Sequence, residues 1–344
     1  MWHVDNQTPF GAHGYFVRDR DGAEYWVVAV RAKFRVLNNG RTELHETQAP
    51  PNLAPRYADP HNLELVEESD FVPFRPGADI LLQGFVFATD PNPNALHPFG
   101  FRVGSLQKVG EARPRRRIRK KSKTWELIHQ DPFEPVPLSW TESLGGLDPV
   151  IDPYSPARHP SNPIGRGWLA NLTTAPDGVE LEMPRIENIY DFYDPGRPLP
   201  QPFGFGPLQP SWQPRLGFAG TYDDVWRKTR SPLLPADFSD SFYQAAPADQ
   251  IYPDDLKGGE PVFIEGMHPE GPYEFSLPRF HLRASTKLAN RRVTQRFRIV
   301  SVHIDGTEKT VDLVWNSHLL CTGREHQLEE SRLILLRQLR PSAL

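Results

Sequence analysis

The sequence predicts a mainly β fold: a large multi-stranded antiparallel β module with long proline-rich loops and a few short helices. The 37 prolines are spread from Pro9 to Pro341. Their share of the 344 residues is well above the usual proportion of about 5 %. Each proline fixes φ and removes a backbone donor, which favours turns and ordered loops over long helices. Runs of β-branched and aromatic residues alternate with polar ones, as in half-buried strands, and turn-forming residues separate these runs.

The N-terminal part has the clearest strand patterns. Residues 24–37 (EYWVVAVRAKFRVL) are rich in β-branched and aromatic side chains, and the later apolar ones alternate with basic residues, which predicts a long strand. The Asn-Asn-Gly that follows tolerates positive φ, so residues 41–46 are expected to return as a hairpin partner. Residues 79–88 and 99–109 predict further strands, separated by the breaker-rich segment 90–98.

The middle of the chain has a different character. Between residues 131 and 217, prolines, glycines and aromatics recur every few positions and leave little room for regular elements. We expect one module over residues 1–344, with sub-lobes at 1–130 and 168–344 joined by a loop-rich segment as the alternative arrangement.

The C-terminal part contains two short predicted helices and then more strands. The helices are expected at 223–230 and 237–246, because their acidic starts suit a helix N-terminus. The strand patterns lie at 261–267, 279–284, 296–303 and 309–315, the last two forming a hairpin at Asp305-Gly306. Residues 328–339 fit a strand or a helix, and the pattern does not decide between them.

Composition excludes several classes of protein. Charged residues make up 24 % and hydrophobic ones 38 %, which is typical of a globular chain rather than a membrane or disordered one. Cys321 is the single cysteine, so neither an intramolecular disulfide nor a thiolate metal cluster is expected. Residues 1–10 lack a basic region followed by an apolar run, and no membrane-spanning run occurs. We therefore predict a cytoplasmic protein that needs no cofactor and no metal.

Short motifs follow one another in order along nearly the whole chain. The residues that carry them are Ser69, Asp70, Pro76, Asp79, Gly84, Asn162, Gly165, Gly167, Tyr222, Asp223, Trp226, Arg230, Asp237 and Phe238. In this order and spacing the chain resembles a bacterial family long catalogued as a domain of unknown function and linked to type VI secretion as effector adaptors. An opening segment, Asn6 to Phe10, adds to the resemblance.

The resemblance implies a non-catalytic adaptor or chaperone. Such a protein would bind one secreted effector protein in the cytoplasm and help load it onto the valine-glycine-repeat spike of the secretion machine. The chain departs from the family pattern at residues 113–123, which are crowded with charge, and at Trp315-Asn316, where an arginine would be more typical. These departures from the family pattern bear on the identity of the effector that the protein binds.

The basic segment 113–123 is the candidate partner-binding site. It holds eight positive charges and no acidic residue. If the segment is extended, one face carries the odd-numbered cations Arg113, Arg115, Arg117, Arg119, Lys121 and Lys123. Such a stripe would attract an acidic protein surface or phosphates. A solvated edge strand, whose charges block unwanted pairing, is the alternative interpretation.

Other polar clusters fit structural roles better than catalytic ones. The carboxylates of Asp223, Asp224, Asp237 and Asp240 beside Trp226 and Arg230 suggest a glycosidase-like acid pair, but helix caps and first-turn acids, with Arg230 as an ion-pair partner, are the preferred interpretation. Residues 162–167 have the glycines of a phosphate loop without its lysine-serine ending, which favours a turn. Histidine pairs such as His303 with Asp305 lack a third ligand, and no nucleophile signature is present.

Two other functions remain open beside the non-enzymatic adaptor. One is a carbohydrate-active or other hydrolase on a β scaffold, for which a deep pocket with converging acids would be needed. The other is a nucleic-acid-binding protein that uses segment 113–123, although a net charge of −4 disfavours nucleic acid as the partner.

Overall fold

The strand patterns in the sequence give rise to a mainly β architecture. The computed structural model describes residues 3–59, 62–90, 95–150 and 152–338. Strands account for 44 % and helices for 7 % of the described residues, which confirms the predicted fold class. In the described ranges no helix is long and apolar enough to cross a membrane.

The described strands are numbered in chain order. The first thirteen are β1 (Val4–Asn6), β2 (Gly11–Arg18), β3 (Glu24–Val36), β4 (Thr42–Leu44), β5 (Arg56–Asp59), β6 (Asn62–Glu67), β7 (Ala78–Gln83), β8 (Phe85–Val86), β9 (His97–Val103), β10 (Leu106–Ala112), β11 (Arg116–Lys121), β12 (Thr124–Gln130) and β13 (Val136–Pro137). The others are β14 (Leu144–Gly145), β15 (Leu147–Asp148), β16 (Ala157–Arg158), β17 (Arg166–Gly167), β18 (Glu180–Glu182), β19 (Ile186–Asn188), β20 (Ile251–Tyr252), β21 (Pro261–Glu265), β22 (Tyr273–Ser276), β23 (Phe280–Leu288), β24 (Arg291–Arg296), β25 (Arg298–Asp305), β26 (Thr310–Leu320) and β27 (Leu328–Gln338).

Helical segments are short. The α-helix of the described residues, α1, spans Asp224–Thr229. Single 3-10 turns lie at Trp140–Glu142, Arg215–Phe218, Asp240–Tyr243, Ala248–Gln250 and Glu325–Gln327.

A seven-stranded sheet organises the molecule. Its strands run in the order β2-β3-β26-β25-β7-β20, and β4 pairs with β3 as well. All neighbours are antiparallel except β25 and β7, which are parallel. The alternation in β3 places Trp26, Val28 and Val30 in the main apolar core, while Arg31 on the opposite face is buried among charged side chains.

Two further sheets cover the core. The four-stranded sheet has the order β1-β27-β23-β24, and the five-stranded sheet has the order β19-β10-β9-β21-β22. Side chains of all three sheets, among them Ile80, Phe101 and Leu333, belong to one apolar cluster. The indole N–H of Trp26 donates a buried 2.7 Å hydrogen bond to the Ser331 hydroxyl, which ties the seven-stranded sheet to the four-stranded one.

Each of these three sheets combines strands from both parts of the chain. The seven-stranded sheet joins strands within residues 11–83 to strands within 251–320, and β1 lies beside β27. The ranges 1–130 and 168–344 are therefore interleaved. A small three-stranded sheet, β12-β11-β18, has its own apolar cluster around Ile118, Leu144 and Met183.

Most local predictions match the elements. The hairpin of β3 and β4 is confirmed, as is that of β25 and β26. The helix predicted at 223–230 is α1, and its N-cap is Asp223. The undecided segment 328–339 is the strand β27 as far as Gln338, and Leu339 lies outside the described residues.

Three local predictions were wrong. The strand expected at 79–88 ends at Gln83, because Gly84 takes a φ of +120° and turns the chain into β8. The strand expected at 99–109 is a hairpin of β9 and β10, which turns at Gly104 with a φ of +55°. The helix expected at 237–246 is reduced to the 3-10 turn Asp240–Tyr243.

Candidate partner-binding surface

The basic segment 113–123 supplies the central strand of a small sheet. β11 pairs with β12 on one side and with β18 on the other, so the segment is not an edge strand. Arg117, Arg119 and Lys121 are exposed, whereas Ile118 and Lys120 are buried, as a strand's alternation requires. The odd-numbered cations of β11 therefore face the solvent.

Acidic residues of the neighbouring strands lie among these exposed cations. Glu180 of β18 contacts Arg119 at 2.5 Å and Arg117 at 3.7 Å. Glu126 of β12 lies 3.0 Å from Lys121. Segment 113–123 itself contains no acidic residue. The sequence therefore did not indicate that the charge of its exposed cations is partly neutralised.

The remaining odd-numbered cations differ from one another. Arg115 and Lys123 are exposed, and neither contacts a carboxylate in the described part of the chain. Arg113 is half-buried and pairs with Glu111. The basic face, which we define as Arg115, Arg117, Arg119, Lys121 and Lys123, thus keeps a positive surplus, because its five cations contact two carboxylates among the described residues, those of Glu126 and Glu180.

The even-numbered cations of β11 hold the small sheet to the body. Arg116 pairs with Glu187, which is 4 % exposed, and donates to the Pro184 carbonyl. The Lys120 ammonium lies 5.3 Å from the centre of the Trp125 ring and 3.3 Å from the Leu172 carbonyl oxygen. Substitution of either cation would therefore disturb the fold as well as the charge.

Two residues of the family-like motifs, Ser69 and Asp70, lie beside a buried charge cluster. The Asp70 carboxylate accepts a 2.7 Å hydrogen bond from the Asn52 backbone N–H and lies 3.6 Å from Arg31. The Ser69 hydroxyl donates to the Leu53 carbonyl and accepts from the Phe71 N–H. Both side chains fix the loop that precedes β7.

Arg31 is the centre of that cluster. Its guanidinium lies 3.1 Å from Glu67 and 3.4 Å from Asp312 as well as near Asp70. Burial alone would raise the pKa of Glu67, but the Arg31 charge and hydrogen bond lower it to about 2. For Asp70 and Asp312 burial dominates over Arg31, and their pKa values are raised.

Asp79, another motif residue, joins β7 to the segment 244–246. It is fully buried and accepts hydrogen bonds from the Gln244 side-chain amide at 2.6 Å, the Ala245 N–H at 3.0 Å and the Ala246 N–H at 3.2 Å. Arg75 lies 3.6 Å away. The adjacent Pro76 is exposed, and Gly84 provides the turn at the end of β7.

The motif at residues 162–167 begins with a turn, as its composition favours, and ends in the short strand β17. The buried Asn162 side chain donates to the Trp140 carbonyl at 2.8 Å and the Leu144 carbonyl at 2.9 Å. Gly165 packs against the Asn162 side-chain nitrogen and the Ser143 carbonyl oxygen, which a Cβ at this position would approach to 2.4 Å and 2.5 Å. Gly167 has a φ of +83° and its carbonyl accepts from the Tyr193 hydroxyl.

The acidic block around α1 has capping and loop-fixing contacts. Asp223 accepts from the Trp226 N–H at 2.8 Å, and Asp237 accepts from the Thr221 N–H and hydroxyl. Arg230 donates to Asp21 at 3.0 Å. These contacts support the capping interpretation over a glycosidase-like pair.

The other residues of this block have similar roles. Asp224 pairs with Arg227 on the helix surface at 2.7 Å, and the exposed Tyr222 ring packs edge-on against Trp226. Phe238 is buried and packs against Phe242. Asp240 begins its 3-10 turn.

Metal ligands do not converge in the described ranges, where no group of three or more candidate side chains forms. His303 lines a small recess of about 180 Å³ together with Glu64 and Ser139. Burial lowers the pKa of His303 to about 3, assisted by the Arg31 charge, and its Nε2 lies 2.8 Å from the Ser301 hydroxyl. Glu64 is already engaged there, accepting from the Ser139 hydroxyl and the Trp140 N–H.

A buried lysine was not predicted. The ammonium of Lys108 donates to the Gly204 carbonyl at 2.7 Å and to the side chains of Gln250 at 2.8 Å and Asp249 at 2.9 Å. Burial lowers the pKa of Lys108 to about 8, although Asp249 acts in the opposite direction. The sequence signal for the burial of Lys108 was its position among the inward-facing residues of the strand β10.

A second unpredicted feature is a groove at the junction of β24 and β25. Its cavity volume is about 610 Å³, and Arg283 and Arg296 are among the residues that line it. The basic run RRVTQRFR at 291–298 was the signal that sequence reasoning passed over.

Comparisons with known proteins identify the family. A family model described as an uncharacterized protein conserved in bacteria (DUF2169) matches residues 21–316. Because this match spans well over half of the chain, the protein belongs to that family. No curated protein and no solved structure matches the chain.

Proposed function

We propose that this member of the family is a non-catalytic adaptor that binds a type VI secretion effector in the bacterial cytoplasm and helps load it onto the spike protein. The family description carries no function, so the proposal depends on the motif resemblance and on the surface of the molecule. Its partner would be a secreted protein with an acidic surface.

The observation that carries the proposal is the positive surplus of the basic face. Five exposed cations lie in or next to β11, and two carboxylates contact them. Exposed charges of one sign attract an oppositely charged protein and orient it during association. Arginine also forms paired hydrogen bonds with carboxylates, which favours an acidic protein as the partner.

The motif residues support the same proposal in a different way. Asp70, Asp79, Asn162, Asp223 and Asp237 all direct their polar atoms to backbone groups of this chain. Side chains that are already hydrogen-bonded in this way fix loops. Motif residues that hold loops in place are expected in a protein that recognises its partner through exposed surface residues.

Purification of the tagged protein from its native host, followed by mass spectrometry, tests the proposal. We expect one secreted protein to co-purify at a constant ratio and to carry an acidic surface. The purified pair, mixed with spike protein, should form a ternary complex, and the effector alone should bind the spike less well. If the protein instead turns over a glycan, peptide or nucleotide, or if no effector or spike protein is captured, the proposed function is wrong.

A further inference from the structure

The groove at the junction of β24 and β25 lies where two sheets meet. β24 is the last strand of the four-stranded sheet, and after Phe297 the chain continues directly into β25 of the seven-stranded sheet. Phe280 and Phe297 are half-buried and line the groove, and Leu336 at its border is 45 % exposed. The groove therefore offers apolar and aromatic surface that is open to solvent.

Three arginines of the groove have no carboxylate partner among the described residues, whereas Asp255, which also lines the groove, pairs with Arg298 at 2.7 Å and with Lys257 at 3.5 Å. Arg279, Arg283 and Arg296 are exposed and line the groove. None of the three contacts a carboxylate in the described part of the chain. Arg283 and Arg296 are also direct cross-strand partners in the β23–β24 pair, an arrangement in which like charges destabilise a sheet.

Other cations of the same sheet have acidic partners. Arg292 lies 2.9 Å from Glu330, and Arg332 lies 2.9 Å from Asp5. Lys287 likewise contacts Glu329. Among the described residues Arg291, at the opposite end of β24, also has no acidic partner, so what distinguishes the groove end of the sheet is the directly opposed pair of Arg283 and Arg296.

The edge of β24 adds a third feature. β24 pairs with β23 alone in the described sheet, so its other edge has unpaired backbone groups beside the groove. An extended peptide segment can hydrogen-bond to such an edge while its side chains enter neighbouring pockets. Arginine neighbours would select acidic side chains, and the half-buried rings would accept an aromatic one.

We infer that this groove binds an extended acidic segment of the partner protein, with an aromatic side chain seated against Phe280 and Phe297 and carboxylates on Arg279, Arg283 and Arg296. This inference rests on the proposed function, because it names the chemistry of the segment that the adaptor would capture. It assigns a second surface, separate from the basic face of β11.

Fluorescence anisotropy on the full chain tests the inference. The probe is a labelled peptide of about ten residues, rich in glutamate with one tryptophan, and its counterpart has glutamine in place of glutamate. We expect the triple variant Arg279→Gln, Arg283→Gln, Arg296→Gln to bind the acidic peptide about tenfold more weakly at low salt, because rim charges govern attraction to an acidic partner. Its melting temperature should not fall, since the substitutions remove a like-charge pair.

A matched control comes from the same sheet. Arg292→Gln with Arg332→Gln removes two exposed cations whose charges are already neutralised, and its affinity for the peptide should stay within about twofold of the wild type. The neutral peptide should bind weakly to all variants. Equal losses in the triple and control variants would contradict a specific site.

Other occupants have distinct outcomes. If a single-stranded oligonucleotide of equal charge competes as well as the acidic peptide, the groove is a general polyanion site and the inference is wrong. If the triple variant self-associates and still binds the peptide normally, the arginines only protect the β24 edge from pairing with a second copy. That result would also overturn the inference.

The outcome separates this inference from the proposed function. If the partner from the native host binds the triple variant as tightly as the wild type, the groove assignment fails while the adaptor proposal stands. If no effector co-purifies with the wild type, the adaptor proposal fails, and the peptide measurement alone decides what the groove binds.

Discussion

The side-chain amide of Gln244 donates a 2.6 Å hydrogen bond to the carboxylate of Asp79, a residue 165 positions earlier in the chain. The backbone N–H groups of Ala245 and Ala246 donate to the same carboxylate. A strand of the main sheet is in this way joined to a loop that has little regular structure of its own.

Replacement of Asp79 should be among the most destabilising single changes in the protein. Asp79→Ala leaves three buried donors without their acceptor and Arg75 without its nearby carboxylate, and the loss of one partner in such a site costs about 3–5 kcal/mol. Urea unfolding of the variant and the wild type measures this difference. As a control, Asp224→Ala on the exposed face of α1 should cost less than about 1 kcal/mol. Similar values for the two variants would contradict the role given to Asp79.

Glu67 should make folding stability depend on acid pH. Although burial opposes it, Arg31 holds the pKa of Glu67 at about 2 in the folded protein, below the unfolded value of about 4.3. Between these values the unfolded chain binds more protons, so the contribution of Glu67 is complete above pH 4.3 and is lost as the pH falls toward 2.

The variant Glu67→Gln isolates that contribution. The raised pKa values of Asp70 and Asp312 act in the opposite sense, but those residues are present in both proteins. Unfolding free energies measured from pH 5 to pH 2.5 should therefore fall more steeply for the wild type than for Glu67→Gln. Parallel curves would show that Arg31 does not hold Glu67 ionised.

Lys108 should produce a pH dependence on the alkaline side. Burial lowers its folded pKa to about 8, whereas the unfolded value is about 10.4. In this interval the unfolded chain binds more protons, so stability gains a contribution as the pH rises above 8. The difference in unfolding free energy between the wild type and Lys108→Met should accordingly shift in favour of the wild type from pH 8 to pH 9.5. A constant difference would mean that Lys108 titrates normally.

The basic face of β11 should act on the rate of partner capture. The variant Arg115→Gln, Arg117→Gln, Arg119→Gln, Lys121→Gln should associate severalfold more slowly with the captured effector at low salt, and its rate should depend less on salt. Screening at physiological ionic strength, where the Debye length is about 8 Å, reduces the difference. Stopped-flow or surface plasmon resonance measures both effects.

The control for this variant has to come from elsewhere on the surface. Arg116 and Lys120 are unsuitable because they are buried in ion-pair and ring contacts. Exposed cations of other elements are suitable, and the four to replace with glutamine are Arg18, Arg227, Lys228 and Arg292. If this control slows association equally, net charge alone is responsible and the basic face has no particular role.

Local sequence patterns predicted the strands well where alternation is strong. The side chains of β3 alternate clearly between core and charged cluster, and the predicted strand matches β3 to within one residue. The hairpin of β9 and β10 was missed because the apolar pattern continues on both sides of Gly104 and Ser105. Gly104 was the sequence signal of a turn at this point. Its φ is positive, a backbone conformation that glycine adopts more readily than other residues.

Contacts between distant segments decided the cases that local patterns could not. Residues 237–246 have a helical start, but Asp237 accepts from Thr221 and the N–H groups of Ala245 and Ala246 donate to Asp79. Those groups cannot then form helical hydrogen bonds. In the same way, the acids that pair with the cations of β11 come from β12 and β18, so a reading of residues 113–123 alone overestimates the free charge.

The strand order of the main sheet has a consequence for how the protein is made. β3 leaves the ribosome early, yet its neighbour β26 ends at Leu320, more than 280 residues later. At the usual elongation rate of about 5–20 residues per second, the first strands wait for roughly 15 to 60 s before their partner is synthesised. During that interval β3 can pair with β2 and β4, but its apolar face, with Trp26, Val28 and Val30, lacks β26 and the later strands that complete the core. The nascent chain is therefore expected to need protection by a ribosome-associated chaperone, and its yield should fall in cells that lack one.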